Sequence, residues 1–143
     1  MVIMQLGKTW FSEHSGGGSD RVVAALARHL PAPTTSVRSF VFGDIPTNGA
    51  SVAGMQSVGK ESAILPVRWY AMRRSVARAL SEHPPDIVTS HFALYALPVL
   101  NRLSDLPLVT HFHGPWAKES HMEGESSSKV AVKEWVESRV RSE

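Results

Sequence analysis

Short apolar runs alternate with amphipathic segments along this chain. The apolar and β-branched runs predict strands at Val2–Leu6, Val37–Phe42, Asp86–Ser90 and Pro107–Phe112. Apolar positions spaced three or four residues apart predict helices over about Ser19–Leu30, from Pro66 to the Pro84-Pro85 stop, over Ala93–Leu103 and over Lys129–Arg141. The two kinds of segment follow one another in turn.

This alternation predicts an α/β fold, a Rossmann-like parallel sheet flanked by helices on both faces. The 143 residues suit a single domain, 1–143, with a core large enough to fold alone. Gly43–Ser62 is rich in small and polar residues and lacks periodicity, so we expect a long loop over 43–63. In the terminal helix, 129–143, we expect Val132, Trp135, Val136 and Val140 to form the apolar side.

Composition narrows the class of protein. There is no cysteine, which removes disulfides and thiolate metal sites and fits a reducing compartment, so a cytoplasmic location is expected. Neither a secretion signal nor an apolar run long enough to span a membrane is visible. The net charge is only +2, so the chain is not basic throughout. Four arginines are concentrated in the predicted second helix: Arg68, Arg73, Arg74 and Arg78. Without aromatic stacking platforms they do not predict nucleic-acid binding; they form a solvated helix face or a contact with anionic lipid.

The first candidate site is Thr110 to Ala117, where an apolar strand runs into a Gly-Pro turn. Because side chains alternate along a strand, His111 and His113 lie on one face, at the carboxyl end where parallel sheets bind ligands. His113, nearest the turn, is the better candidate for chemistry. Two alternatives stay open: a zinc site that adds His91 as third ligand, and histidines that are merely hydrogen-bonded core residues.

The second candidate site is the run Gly16-Gly17-Gly18 between the first strand and the first helix. Glycines allow close backbone approach, and a helix N-terminus offers unpaired N–H groups, so a diphosphate is the expected ligand. The run matches neither the dinucleotide fingerprint nor a Walker loop. A flexible turn capped by Ser19 is the structural alternative.

These motifs together resemble the amino-terminal domain of the GT-B glycosyltransferases of family four, over nearly the whole chain. The resemblance is carried by Gln5-Leu6-Gly7-Lys8, Gly16-Gly17-Gly18, Arg21-Val22-Val23, Pro85-Asp86-Ile87-Val88, Ser90-His91-Phe92 and His111-Phe112-His113-Gly114-Pro115-Trp116. It implies one half of a two-domain architecture, in which this half supplies the acceptor side.

The resemblance also implies an activity: retaining transfer of a sugar from a nucleotide-diphosphate donor to an acceptor hydroxyl, with no cofactor and no obligatory metal. In that pattern Gly16, Gly17, Gly18 and Arg21 bind the donor phosphates, and His113 is the catalytic histidine. Residues expected to face the acceptor, a glycan or a lipid-linked molecule, are His91, His111, Trp116, Lys118 and Glu119. The loop 43–63 is where selectivity for the acceptor is expected.

One departure from the family changes the expectation for activity. Its members run to more than twice this length and carry a second domain that binds the nucleotide. We therefore expect half of an enzyme, which is inactive alone and is completed by a partner polypeptide. Its expected location is the cytoplasm, where it could also work at the inner face of the membrane. The alternatives are a non-catalytic binding module derived from such an enzyme and a histidine-based metal hydrolase.

Overall fold

The computed structural model describes residues 1–9, 17–43, 45, 54–111 and 126–141. Within them lie strands β1 to β5 and helices α1 to α4, with a 3₁₀ helix at Leu97–Arg102. The strands are β1 (Val2–Thr9), β2 (Ser36–Phe42), β3 (Met55–Ser57), β4 (Ile87–Ser90) and β5 (Leu108–Thr110). The α-helices are α1 (Gly18–His29), α2 (Leu65–Glu82), α3 (Ala93–Ala96) and α4 (Ser127–Arg141).

The five strands form one parallel sheet in the order β3-β2-β1-β4-β5. β1 lies at its centre, pairing Ile3 with Val37 of β2 on one side and with Ile87 of β4 on the other. Central parallel strands are covered on both faces, which explains why the predicted run Val2–Leu6 is almost continuously apolar. The α/β Rossmann-like fold expected from the alternation of elements is confirmed.

The main core lies between the sheet and α2. Residues of β1 and β2 on this face, among them Met4, Leu6 and Phe40, pack against Met72 and Val76 of the helix. The second face is covered by α1, whose Val23 packs against Val41. This contact depends on Gly7, because a Cβ there would lie 3.0 Å from Val23 Cγ2 and 3.2 Å from Val41 Cγ1. A glycine in β1 therefore sets how closely α1 approaches the sheet.

The structure differs from the sequence prediction in the stretch expected as a loop over 43–63. It places the short edge strand β3 at Met55–Ser57, paired with β2 from Ser39 to Val41. Periodicity cannot reveal so short a strand, since three residues give barely one alternation. Gly54 precedes it with a φ of +85°, and a Cβ there would lie 2.1 Å from the Val37 carbonyl oxygen. Only glycine allows the chain to enter the sheet at this point.

Two helix predictions also need correction. The helix predicted over Ala93–Leu103 is α-helical only to Ala96 and continues as the 3₁₀ helix, which has a proline in its first turn. Among the α4 side chains that the structure describes, the buried apolar ones are Val130 and Val136, and Val136 packs against α3 and the 3₁₀ helix. The predicted apolar side is wrong for Val132 and Trp135, which are exposed.

The core between the sheet and α2 makes a stability prediction. We expect Met72→Ala, at a fully buried position, to lower the free energy of unfolding by about 2–5 kcal/mol because it leaves a cavity. Val67→Ala, on the same helix but 52% exposed, should cost about 0.5 kcal/mol or less. Urea denaturation of the two variants checks the difference, and equal losses would contradict this account of the core.

Candidate functional site

Several elements meet at the carboxyl edge of the sheet. β1 ends there at Thr9, β4 leads into His91, and β5 leads into His111. The first turns of α1, α2 and α3 start from the same edge, because each helix follows a parallel strand. This is the edge at which open parallel sheets bind their ligands.

A buried chain of polar side chains crosses the sheet beneath this edge. Gln5 Nε2 donates a hydrogen bond to Ser39 Oγ at 3.0 Å, and Gln5 Oε1 lies 3.0 Å from His91 Nε2. All three residues are buried, Gln5 and Ser39 completely. Since the amide oxygen only accepts hydrogen bonds, the proton between Gln5 and His91 is on the imidazole. These hydrogen bonds therefore fix the orientation of the His91 ring from inside the sheet.

His111 lies directly on His91. The two imidazole rings are stacked with centroids 4.6 Å apart and an interplanar angle of 17°. The His111 N–H donates to the Ser90 carbonyl at 2.8 Å, which continues the pairing of β5 with β4. His91 is 1% exposed and His111 is half-buried, so His91 supports the ring that lies nearer to solvent. The structure thus brings together two of the three histidines singled out in the sequence.

The glycine run leads into α1, but its cap differs from the predicted one. Gly17, not Ser19, is the N-cap residue, and its N–H donates to Asp20 Oδ2 at 2.9 Å. The Asp20 side chain is buried, and Oδ1 has no hydrogen-bond partner within the described residues. Asp20 replaces Ser19 as the capping group because a carboxylate three residues after the cap reaches back to its N–H. Arg21, in the next position, is exposed.

A second cluster at this edge was not anticipated from the sequence. Arg68 in the first turn of α2 donates from Nη1 to the Tyr95 hydroxyl at 3.3 Å, and its Cζ lies 5.9 Å from the centre of the Phe42 ring. The Tyr95 ring packs on Phe42 with centroids 5.4 Å apart. Burial raises the pKa of the Tyr95 hydroxyl, and Arg68 opposes that rise. Helical spacing identifies the face of α2 but not this partner, which lies 27 residues away.

Next to this cluster the Thr9 hydroxyl lies 3.1 Å from both the Phe42 carbonyl oxygen and Glu61 Oε2. An open cleft of about 640 Å³ begins here, lined within the described chain by Gly43, Lys60, Glu61 and Ser62. Gly43 has a φ of +87°, which only glycine adopts readily. The cleft lies within the stretch where we expected selectivity for the acceptor.

The arginines of α2 do not form the uniform solvated face considered from the sequence. Arg73 donates to the Pro98 carbonyl and to Asn101 Oδ1, both at 2.7 Å. Arg78 forms an ion pair with Glu82 at 2.8 Å, and Arg74 is exposed. With Arg68 held against aromatic rings, two of the four arginines contact side chains or backbone of other elements. Their long side chains bend back from the polar side of the helix.

Other predicted site residues lie outside the described part of the chain: Gly16, His113, Trp116, Lys118 and Glu119. Their assigned roles stay predictions. Among the residues that the structure does describe, no three histidine, aspartate or glutamate side chains are grouped so that they could hold a metal ion.

Comparison with known protein families identifies the family of this chain. The model of Glycosyltransferase Family 4 matches residues 16–142, which includes α1, α2 and the two histidines at the carboxyl edge. The chain belongs to Glycosyltransferase Family 4. The resemblance to the amino-terminal domain of these enzymes is thus confirmed. Among curated proteins no sequence matches this glycosyltransferase domain significantly. None of its described helices is long and apolar enough to cross a bilayer.

The buried Tyr95 hydroxyl of the glycosyltransferase domain predicts a pH dependence of stability. Since its pKa is raised on folding, the native state holds this proton more tightly than the unfolded chain. The stabilisation is complete below the unfolded pKa, and we expect it to be lost as the pH rises above about 10. Urea unfolding from about pH 8 to pH 11 should show a steeper loss for the natural chain than for Tyr95→Phe. Equal losses of stability in the two proteins would contradict this prediction. The exposed Tyr70 is present in both proteins, so it does not contribute to the difference.

Proposed function

We propose that this chain is the acceptor-side domain of a GT-B glycosyltransferase that transfers a sugar, with retention, from a nucleotide-diphosphate donor to an acceptor hydroxyl. The observation that carries the proposal is the family match over residues 16–142. The geometry of the carboxyl edge supports it, because the stacked histidines, the start of α1 and the cleft beside Glu61 belong to one edge of one sheet.

The proposed role of the α1 N-terminus is to hold the donor phosphates. Gly18 supports it, since a Cβ there would meet no atom of the described residues within 4 Å, which leaves the backbone open to a ligand on that side. Helix geometry leaves the first N–H groups of α1 without partners inside the helix, and these groups attract anions. Arg21 in the first turn adds a positive charge. These groups would stabilise the charge that develops on the leaving diphosphate.

The proposed role of the histidine strand is to position His113 against the reacting sugar. β5 ends at Thr110, and the stack of His111 on His91 anchors the residue two positions before His113. His91 is in turn held by Gln5, in the central strand. A side chain delivered from such a fixed base needs little reorganisation when charge develops in the transition state. No cofactor and no obligatory metal enter the proposal.

The proposed enzyme needs a second, donor-binding polypeptide domain, and its test is reconstitution. We expect the purified chain alone to transfer no sugar from a panel of uridine and guanosine diphosphate sugars. Addition of a family-four donor-binding domain as a separate polypeptide should restore transfer to an acceptor glycan or lipid. Within the restored pair, His113→Ala should lower kcat by about 10²–10³-fold because it removes a group that contacts the transition state.

His29→Ala serves as the control, since His29 is exposed at the far end of α1. Its transfer rate should equal that of the natural chain. Turnover by the chain alone would contradict the half-enzyme proposal. Binding of a glycan without transfer in any pairing would instead favour the non-catalytic module.

We also propose that the domain works at the cytoplasmic face of a membrane, with the start of α2 as its contact. Exposed apolar side chains cluster there, at Ile64, Val67 and Tyr70, beside the exposed cations Lys60 and Arg74. Apolar groups flanked by cations favour the surface of an anionic bilayer.

The membrane contact is tested by flotation with phosphatidylserine vesicles. Val67→Asp should lose most of the bound fraction because it places an anion within the apolar group. Val132→Asp, at a valine of α4 that is 60% exposed against 52% for Val67, should bind like the natural chain. Equal binding by both variants would overturn this contact.

A further inference from the structure

Arg68 makes weaker polar contacts than Arg73 and Arg78, the other two arginines of α2 that bond to neighbouring residues. Arg73 and Arg78 each bond to oxygen atoms of neighbouring residues at 2.7 to 2.8 Å. Arg68 has one 3.3 Å bond to a tyrosine hydroxyl, and its buried Nε has no partner among the described residues. No described carboxylate lies within ion-pair distance of it. A guanidinium presents five donors, so most of the capacity of Arg68 is unused within this part of the chain.

The guanidinium is nevertheless held in place. It lies over the Phe42 ring and touches the Tyr95 hydroxyl, and both aromatic side chains are buried in the main core. A cation fixed against aromatic rings has lost little of its charge and much of its freedom. Such a group is prepared to bind an anion without further ordering.

The surroundings of Arg68 favour an anion for a second reason. α2 is an 18-residue helix whose N-cap, Ile64, provides no side-chain cap, and its first turn contains no acidic residue. The positive end of the helix dipole is therefore not neutralised by the helix itself. Lys60 lies four residues before the cap and lines the open cleft at the same edge.

One carboxylate belongs to the same neighbourhood. Glu61 lines the cleft beside Lys60, and its Oε2 is engaged by the Thr9 hydroxyl at 3.1 Å. Its charge acts on the Tyr95 hydroxyl in the direction opposite to that of Arg68. An acceptor that carries both a phosphate and free hydroxyls would therefore meet a cation for the first and a hydrogen-bond acceptor for the second.

We infer that Arg68, with Lys60 and the N-terminus of α2, binds the phosphate group of a phosphorylated acceptor. The identification of the ligand as an acceptor rests on the proposed function; the anion site itself does not. Phosphate suits the site because planar guanidinium groups and helix N-termini both recognise its oxygen atoms. The phosphate belongs either to a soluble phosphorylated sugar or polyol or to a lipid headgroup.

The experiment is a titration of the full chain with inorganic phosphate, followed by amide chemical shifts. We expect saturable shifts that include the first turn of α2. Arg68→Met keeps an apolar stem on Phe42 but removes the charge, and it should weaken binding at least tenfold. The phosphate affinity of Arg68→Lys should lie between those of the natural chain and Arg68→Met. Arg74→Met removes one charge from an exposed position of the same helix and should bind within twofold of the natural chain.

Retained amide dispersion in Arg68→Met, together with the intermediate affinity of Arg68→Lys, separates a lost site from a lost fold. Shifts that do not saturate in the natural chain would overturn the inference. So would equal phosphate affinity in Arg68→Met and Arg74→Met, since binding would then follow net charge alone.

Vesicles identify the source of the phosphate. Phosphatidylcholine vesicles with phosphatidic acid should be bound more weakly by Arg68→Met than by Arg102→Met if the phosphate is that of a lipid headgroup. Arg102→Met removes one charge from an exposed position at the end of the 3₁₀ helix, away from the proposed membrane contact. Equal vesicle binding by these variants, with phosphate binding still dependent on Arg68, assigns the site to a soluble phosphorylated acceptor. Neither readout needs a donor or turnover. If phosphate binds but no reconstituted pair transfers sugar, the anion site is supported and its role in sugar transfer is contradicted.

Discussion

The buried amide of Gln5 is the constraint on which the candidate site depends. A side chain in the central strand of a parallel sheet has no access to water, so each of its polar atoms needs a partner within the protein. Ser39 in β2 and His91 after β4 supply those partners, at 3.0 Å each. The hydrogen bonds therefore link the middle of β1 and of β2 to the residue that follows β4, and the bond to His91 orients the ring on which His111 stacks. The site is built outward from the middle of the sheet.

The same constraint explains what the sequence could predict. β1, β2 and α1 are found within one to three residues of their predicted ends, because burial on one or both faces leaves a strong period in the sequence. The carboxyl-edge location of His111 followed from its position at the end of an apolar run in an alternating α/β pattern. The residue pattern by itself grouped His91 with it only as the third ligand of the alternative zinc site. The ring stacking could not be predicted, since His91 follows another strand and no local pattern records which strands are neighbours.

The parts that sequence could not provide depend on single contacts over long distances. β3 is three residues long and owes its place to pairing with β2 and to the backbone freedom of Gly54. The face of α4 was assigned by apolar spacing, yet Val130 and Val136 are buried while Val132 is exposed, because α3 and the 3₁₀ helix cover only one side. Arg68 was grouped with a basic helix face although its guanidinium lies on Phe42. Charge patterning describes a helix surface, and a long arginine side chain can leave that surface.

The start of α1 combines a helix cap with the phosphate site proposed for the donor. Asp20 uses one oxygen to accept the Gly17 N–H, so this amide is already satisfied by a negative charge. A diphosphate at the same end would be repelled by that buried carboxylate if it approached Gly17. At Gly18, where no atom of the described residues would lie within 4 Å of an added Cβ, the diphosphate of the proposed donor could approach the backbone instead. The N–H groups of Gly18, Ser19 and Asp20 precede the first intrahelical hydrogen bond, which Arg21 N–H donates to the Gly17 carbonyl at 3.2 Å. The Arg21 side chain adds a positive charge to this turn. In the proposed enzyme the diphosphate would therefore lie one residue further along α1 than the cap, where close backbone approach and positive charge coincide.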